Sequence, residues 1–513
     1  MVFPSLGCNT CKRRHLKCDS ARPLCGRCRK GGLLCTWAAT EEEGLPFRSE
    51  NAFAQGRPRR PRKVHSCLQD STAVTARSHP TILPALSFPL ELHSVNYWVK
   101  NWAFGTNDLP GIGHEYTSYV ISHKDRARQD SSLHLAFLAF ALAVFGRARK
   151  VRKALEDANR FYSQTIAKVK TEIKDVATED IDQLLITIML MGTYENIMWG
   201  LNPHNPQNPS CSSDEVGSRF WQNVCHHKGA AGLLRLRQLR RLPKNLPLDR
   251  VVRRQIIRII ILRGKTIPGW LQDPSYEEKG PMRELDALIL RAAGLRARSL
   301  HLFKNNSGPK SRDSGGTDCC SPPSHRGISR EVAAEAQDLD AAFVTWSKTA
   351  PEEWRYSTID SRTTTTDELY DCPVHAYASH GHAAVWNRYR AVRLIVNSIR
   401  IRSLATLIQC PMQASYVNSQ QEIETSQKNI ESLARDLCGG VLFFFHSCNP
   451  LIIGGAMPQK MAALLAWPLT VAVSTEGVPG PQRRWLLERL NIVAEILGDV
   501  MLASVISKGE FRF

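Results

Sequence analysis

CNTCKRRHLKCDSARPLCGRCRKGGLLC, residues 8–35, carries six cysteines: Cys8, Cys11, Cys18, Cys25, Cys28 and Cys35. Their spacing is C-x2-C-x6-C, six further residues, and C-x2-C-x6-C again, so each cysteine of the first half has a counterpart 17 residues later. The stretch is an internal repeat. Thiolates two residues apart can grip one metal from the start of a helical turn, and zinc takes four tetrahedral ligands at about 2.3 Å for sulfur. Two zinc ions need about eight metal–sulfur bonds, which six thiolates supply if two of them bridge. The repeat makes Cys8 and Cys25, the first residue of each half, the natural bridging pair.

Other uses of six cysteines fit less well. A disulfide framework belongs to an oxidising compartment, yet residues 1–7 hold no charged segment ahead of a long apolar one. Iron–sulfur spacings differ, and a metal store has no need of the long body that follows. The stretch resembles the fungal binuclear zinc-cluster (Zn2Cys6) transcription factors in all six cysteines, in the basic run Lys12-Arg13-Arg14, in Lys17 and Asp19 flanking the third cysteine, and in Pro23. The resemblance implies one zinc on Cys8, Cys11, Cys18 and Cys25 and a second on Cys8, Cys25, Cys28 and Cys35. It also implies a small fold of two short helices and loops whose first helix enters the major groove and reads a CGG-type triplet.

Charge leads to nucleic acid independently. Residues 1–40 hold eight basic side chains against Asp19, and two zinc ions with six thiolates still leave a balance of +5. A module that small and that basic is an electrostatic footprint for phosphate. Arg14, His15 and Lys17 are the candidates for the groove, while Lys12, Arg13, Arg27 and Arg29 are placed on the backbone. Many members of the family carry a base-reading lysine three residues before the third cysteine; here that position is His15, shorter and mostly neutral at pH 7.

The whole chain of 513 residues is 43% apolar and 22% charged, ordinary for a globular protein, but its net charge is +19. Residues 1–65 contribute +9 and residues 228–265 contribute +11, so the excess sits in two places. The most apolar runs, 135–145 and 439–457, are respectively too short for a membrane span and broken by His446, Asn449 and Pro450. They read as buried helices, and no membrane partner is expected. The nine cysteines outside the cluster are mostly scattered singly, as in a reduced cytosolic or nuclear protein.

Residues 1–40 are therefore predicted to be the zinc-cluster domain, 41–90 a basic, proline-containing linker, and 91–513 a large all-α regulatory domain with a disordered insertion at about 304–328. In the linker, Arg57, Arg59, Arg60, Arg62 and Lys63 form a nuclear import signal of the usual basic type, which places the protein in the nucleus. Pro46, Pro58 and Pro61 interrupt any heptad there, so dimerisation through a coiled coil beside the cluster is not expected. Beyond residue 90 apolar residues recur at three and four, as in Val332, Ala336, Leu339, Phe343 and Trp346 or Leu486, Leu490, Val493, Leu497 and Val500, and no series of strands stands out. The stretches around Thr193-Tyr194-Glu195, His226-His227, Trp346 with Trp354, and Trp467-Pro468 resemble the helical domain that accompanies such clusters in filamentous fungi. That resemblance implies a regulatory, partner-binding unit.

No enzyme motif is legible: the chain has no G-x-x-x-x-G-K-[ST], no G-x-S-x-G and no H-E-x-x-H. His226-His227 and His380-Gly381-His382 lack a carboxylate at ligand spacing and read as surface or capping histidines. Residues 228–265 read as an amphipathic helix pair with a solvated arginine face, with a patch for an acidic partner, extra DNA backbone or an anionic metabolite as the alternative. The reading as a whole is a nuclear, sequence-specific DNA-binding regulator of RNA polymerase II transcription that holds two zinc ions, binds double-stranded DNA and co-regulators, and dimerises, if at all, through its helical body. The other reading is a helical interaction protein or repressor anchored to chromatin by its zinc module.

Overall fold

Apolar residues at helical spacing fill most of the chain, and the structure, a computed structural model, turns them into helices. It describes residues 7–21, 23–36, 88–103, 119–176, 180–199, 225–273, 276, 279–306, 323–359, 372–408, 415–446 and 457–499. The chain divides into two units, Met1–Leu83 and Pro84–Phe513. The first holds two short helices, α1 (Asn9–Arg13) and α2 (Gly26–Lys30), packed around buried Cys8, Cys11, Cys25 and Cys28.

The second unit is helical. It runs α3 (Leu90–Trp98, continued by one π turn, Val99–Ala103), α4 (Val120–Lys124), α5 (Ser132–Arg149), α6 (Arg152–Glu172), α7 (Asp180–Trp199), α8 (Cys225–Leu239), α9 (Leu246–Arg263), α10 (Pro281–Asn306) and α11 (Pro323–Thr349). A hairpin of β1 (Ser357–Ile359) and β2 (Val374–Ala376) follows, then α12 (His380–Ile408), α13 (Ser415–His446), α14 (Gln459–Ser474) and α15 (Gly480–Leu497). The strands are antiparallel, with Thr358 opposite His375.

Two helices organise the core. SLHLAFLAFALAVFGRAR makes α5 apolar on nearly every side, and α3, α6 and α7 all pack on it. Among the described residues it is the one helix long and apolar enough to cross a membrane, and 67% of that stretch is buried within the fold. α12 is surrounded by α10, α11, α13 and α14. Several of its buried polar groups are paired across helices: Asp340 of α11 accepts from Arg393 Nε at 2.8 Å and Asn397 Nδ2 at 2.8 Å, and Arg400 Nη2 donates to Gln337 and Glu422, each at 2.9 Å. Gly439 and Gly440 bring α13 against this helix and the hairpin. A Cβ at Gly439 would stand 2.5 Å from the Pro373 carbonyl, and one at Gly440 would stand 2.4 Å from Asn387 Oδ1.

Two differences from the sequence reading follow. Residues 323–328, assigned to a disordered insertion, are the first turns of α11, which starts on a proline where its missing N–H costs nothing. The hairpin, with strands of three residues, is too short to have left a period-two signal.

Candidate metal centre and nucleic-acid interface

The 17-residue repeat of the sequence is a repeat of backbone geometry. Cys8 caps the N-terminus of α1 with its Sγ accepting from Cys11 N at 3.4 Å, and Cys25 caps α2 by accepting from Cys28 N at 3.4 Å. Cys8 N donates to Cys18 Sγ at 3.5 Å, as Cys25 N does to Cys35 Sγ at 3.4 Å. Both helices end in the same way. His15 N reaches the Lys12 carbonyl and Leu16 N that of Cys11, while Gly32 N reaches Arg29 and Leu33 N reaches Cys28. This is the paired bonding of a left-handed helix cap, and the residues that take it are His15 at φ 54° and Gly32 at φ 60°. Glycine adopts that conformation freely, whereas histidine does so against its Cβ.

The fold of the repeat collects the thiols. Cys8, Cys11, Cys18 and Cys25 form one set and Cys8, Cys25, Cys28 and Cys35 another, the Sγ atoms of each lying within 4.8 Å of one another. The two sets share Cys8 and Cys25. Cys8 Sγ is 3.8 Å from Cys25 Sγ and 3.8 Å from Cys28 Sγ, and Cys11 Sγ is 3.7 Å from Cys25 Sγ. Sulfurs at the corners of a tetrahedron about 2.3 Å from a zinc ion stand about 3.8 Å apart, so the donor set fits the metal in type, number and spacing. Without a cation the arrangement opposes ionisation: burial pushes the Cys11 thiol up to about 12 and raises Cys28 as well. The N–H bonds from Cys11 and Cys28 hold the shared Cys8 and Cys25 below the ordinary thiol range. The helix caps thus favour the thiolate at the two positions that must serve both ions.

Two further contacts close the module. Asp19 Oδ2 accepts from Gly26 N at 2.9 Å, and at the position 17 residues on, the Thr36 carbonyl accepts from Asn9 N at 2.7 Å. Gly26 leaves Asp19 this room, since a Cβ there would lie 2.6 Å from Oδ2. Asp19 was legible in the sequence only as a shared feature. Overlaying the two halves of the repeat, which sets His15 on Gly32, would have assigned the role of His15.

Around this buried sulfur core the charges point outward. Lys12, Arg13, Arg14, His15 and Lys17 are all exposed, as are Arg27 and Arg29. The basic run 57–63 lies outside the described residues.

With this geometry in place, comparison with known proteins is specific. Residues 6–43 match the fungal Zn(2)-Cys(6) binuclear cluster domain. The first unit contains a binuclear zinc-cluster domain. The domain binds two zinc ions, and the six cysteines described above are the donors it brings together. Sterol uptake control protein 2 of Candida albicans is 36% identical over 84 residues, 15% of this chain and 12% of that protein. Transcription factor FUP7 of Fusarium proliferatum is 51% identical over 39 residues, 8% of this chain and 16% of that protein. The sorbicillinoid biosynthetic cluster transcription factor sor3 of Hypocrea jecorina is 32% identical over 111 residues, 20% and 16% of the two chains. This chain therefore spans less than a fifth of each of these relatives. No solved structure matches it.

The second basic stretch departs from the solvated arginine face read from the sequence. Arg237 is 2% exposed and forks between Asp182 of α7 and the fully buried Asp249 of α9. Arg253 Nε donates to the Leu271 carbonyl at 2.8 Å, Arg254 pairs with Asp286 of α10 at 2.7 Å, and Arg250 Nε donates to the Tyr276 carbonyl at 2.9 Å. These arginines tie helices and loops together, their guanidinium groups donating to carboxylates and carbonyls inside the fold. Lys228, Arg235, Arg240, Arg241 and Lys265 remain exposed.

The histidine pairs are also accounted for by packing. His226 Nε2 sits 2.9 Å from Glu195 Oε2, whose other oxygen accepts from Tyr162, and burial lowers His227 to about 4. His382 N donates to Ser379 Oγ at 3.3 Å, in the first turn of α12. Among the described residues the cysteine sets are the groups arranged to hold a metal.

Proposed function

We propose that this chain is a nuclear, sequence-specific regulator of RNA polymerase II transcription whose zinc cluster reads a CGG-like triplet in double-stranded DNA. The observation that carries the reading is the sorting of the cluster: thiols buried and shared between two metal sets, and seven basic or histidine side chains exposed on α1, its cap and α2. Such a module offers a surface suited to phosphate and base edges. Two of the relatives are named as transcription factors. In this reading Arg14, His15 and Lys17 face the groove, and Lys12, Arg13, Arg27 and Arg29 hold the backbone. Arg57, Arg59, Arg60, Arg62 and Lys63 serve nuclear import, and the helical unit carries co-regulator contacts and any homodimer contact. It has no catalytic role.

Selection of binding sites from random DNA with the full zinc-loaded chain tests the proposal. A CGG-like motif is expected, with Lys17→Ala costing about 1 to 3 kcal/mol on the selected site and relaxing its sequence. Arg13→Ala should weaken all sequences alike and reduce the salt slope by about one. An unchanged motif in both Lys17→Ala and His15→Ala would overturn the groove assignment, and no selected motif at all would overturn the function.

A further inference from the structure

The helical unit holds a partly open pocket of about 210 Å³ where the π turn after α3 meets α7, α9, α14 and the end of α15. Its walls are apolar for the most part, with Ile197, Ile259 and Leu497 among them. Two tryptophans, Trp102 and Trp467, also line it, and each keeps its indole N–H buried without an acceptor among the described residues. Two cations complete the lining: Arg258, and Lys460, which is 1% exposed. Asp499 is the one acidic member of the lining, and its charge also acts on Arg147 of α5.

We infer that this pocket is a binding site for a small amphipathic monocarboxylate, the apolar body between the aliphatic and indole walls and the carboxylate toward Lys460 and Arg258. Buried donors without acceptors are costly, and the two indole N–H groups favour a ligand that brings an acceptor. Lining residues of net positive charge favour an anion over its neutral analogue. The volume is below the about 300–1,000 Å³ of a drug-sized site, so the ligand is small. The site is separate from the zinc cluster, and the inference does not rest on DNA binding.

Titration calorimetry of the full zinc-loaded chain without DNA tests it, with phenylacetate and hexanoate as probes and phenylacetamide as the neutral analogue. Saturable binding of at least one carboxylate at one site per chain is expected, at least tenfold tighter than the amide. Lys460→Met should weaken it at least tenfold, and Ala463→Phe, which fills the pocket from α14, should abolish it. If Lys460→Met loses its helical circular dichroism, Arg258→Gln provides the charge test, with the same tenfold loss expected. Absence of saturable binding by both carboxylates, equal affinity for the amide, undiminished binding when the charge is removed, or undiminished binding by a folded Ala463→Phe chain would each overturn the proposal.

Discussion

Arg237→Met is expected to destabilise the helical unit by about 3–5 kcal/mol, the usual cost of removing one partner from a buried ion pair. The structure sets that magnitude. Asp249 is fully buried and Arg237 is the cation paired with it, whereas Asp182 retains Asn245 at 2.7 Å and His123 at 3.6 Å when the guanidinium is gone. Burial already raises Asp249 to about 6 even with the arginine beside it. The stranded carboxylate is the main loss, so Arg237→Met combined with Asp249→Asn should recover at least half of it. Urea unfolding of the full zinc-loaded chain, followed by helical circular dichroism at pH 7, measures both. A loss below about 1 kcal/mol, or a double variant no better than the single one, would refute the reasoning. The same variant separates structure from DNA contact: its DNA salt slope should be unchanged, and a slope lowered by about one would mean that Arg237 holds phosphate.

Three other outcomes are expected. Elemental analysis should find two zinc ions per chain, and Cys25→Ala, which removes a donor from both sets, should lose both and unfold the module; a ratio near one in the intact chain would refute the binuclear assignment. His15→Gly should leave zinc content and thermal stability of the module intact or raised, since it relieves a left-handed histidine, whereas His15→Val should lower the stability by about 1–2 kcal/mol; equal stability of the two would show that the cap carries no strain. Burial beside Arg390 holds His375 down to about 3, so it is neutral in the fold and takes up a proton only on unfolding near pH 6.5. Its contribution is complete above about pH 6.5 and falls as pH is lowered, by about 2 kcal/mol at pH 5; His375→Gln should flatten the difference in urea midpoint between pH 7 and pH 5, and an unchanged difference would refute it.

The sequence by itself determined the metal centre, because its information is local. Six cysteines within 28 residues can meet only through short loops, and a spacing repeated at 17 residues dictates two like halves with two cysteines in common. It determined equally that the body is helical, since amphipathic helices such as α11 and α15 show their buried stripe at three and four. Tertiary structure decided what periodicity cannot express. α12 has apolar, aromatic and arginine residues on every side, and no stripe marks it as central; Asp340, Asp286 and Glu422 on other helices, and Tyr377 beside the hairpin, make its arginines burial-compatible. The fate of residues 228–265 was likewise unreadable along the chain. A charge count treats every arginine as solvated, whereas Arg237, Arg253 and Arg254 are held inside by carboxylates and carbonyls that lie from 12 to 55 residues away. The physical reason is range: spacing reports neighbours on one helix, and the pairing of a buried charge is set by whatever the fold places opposite it.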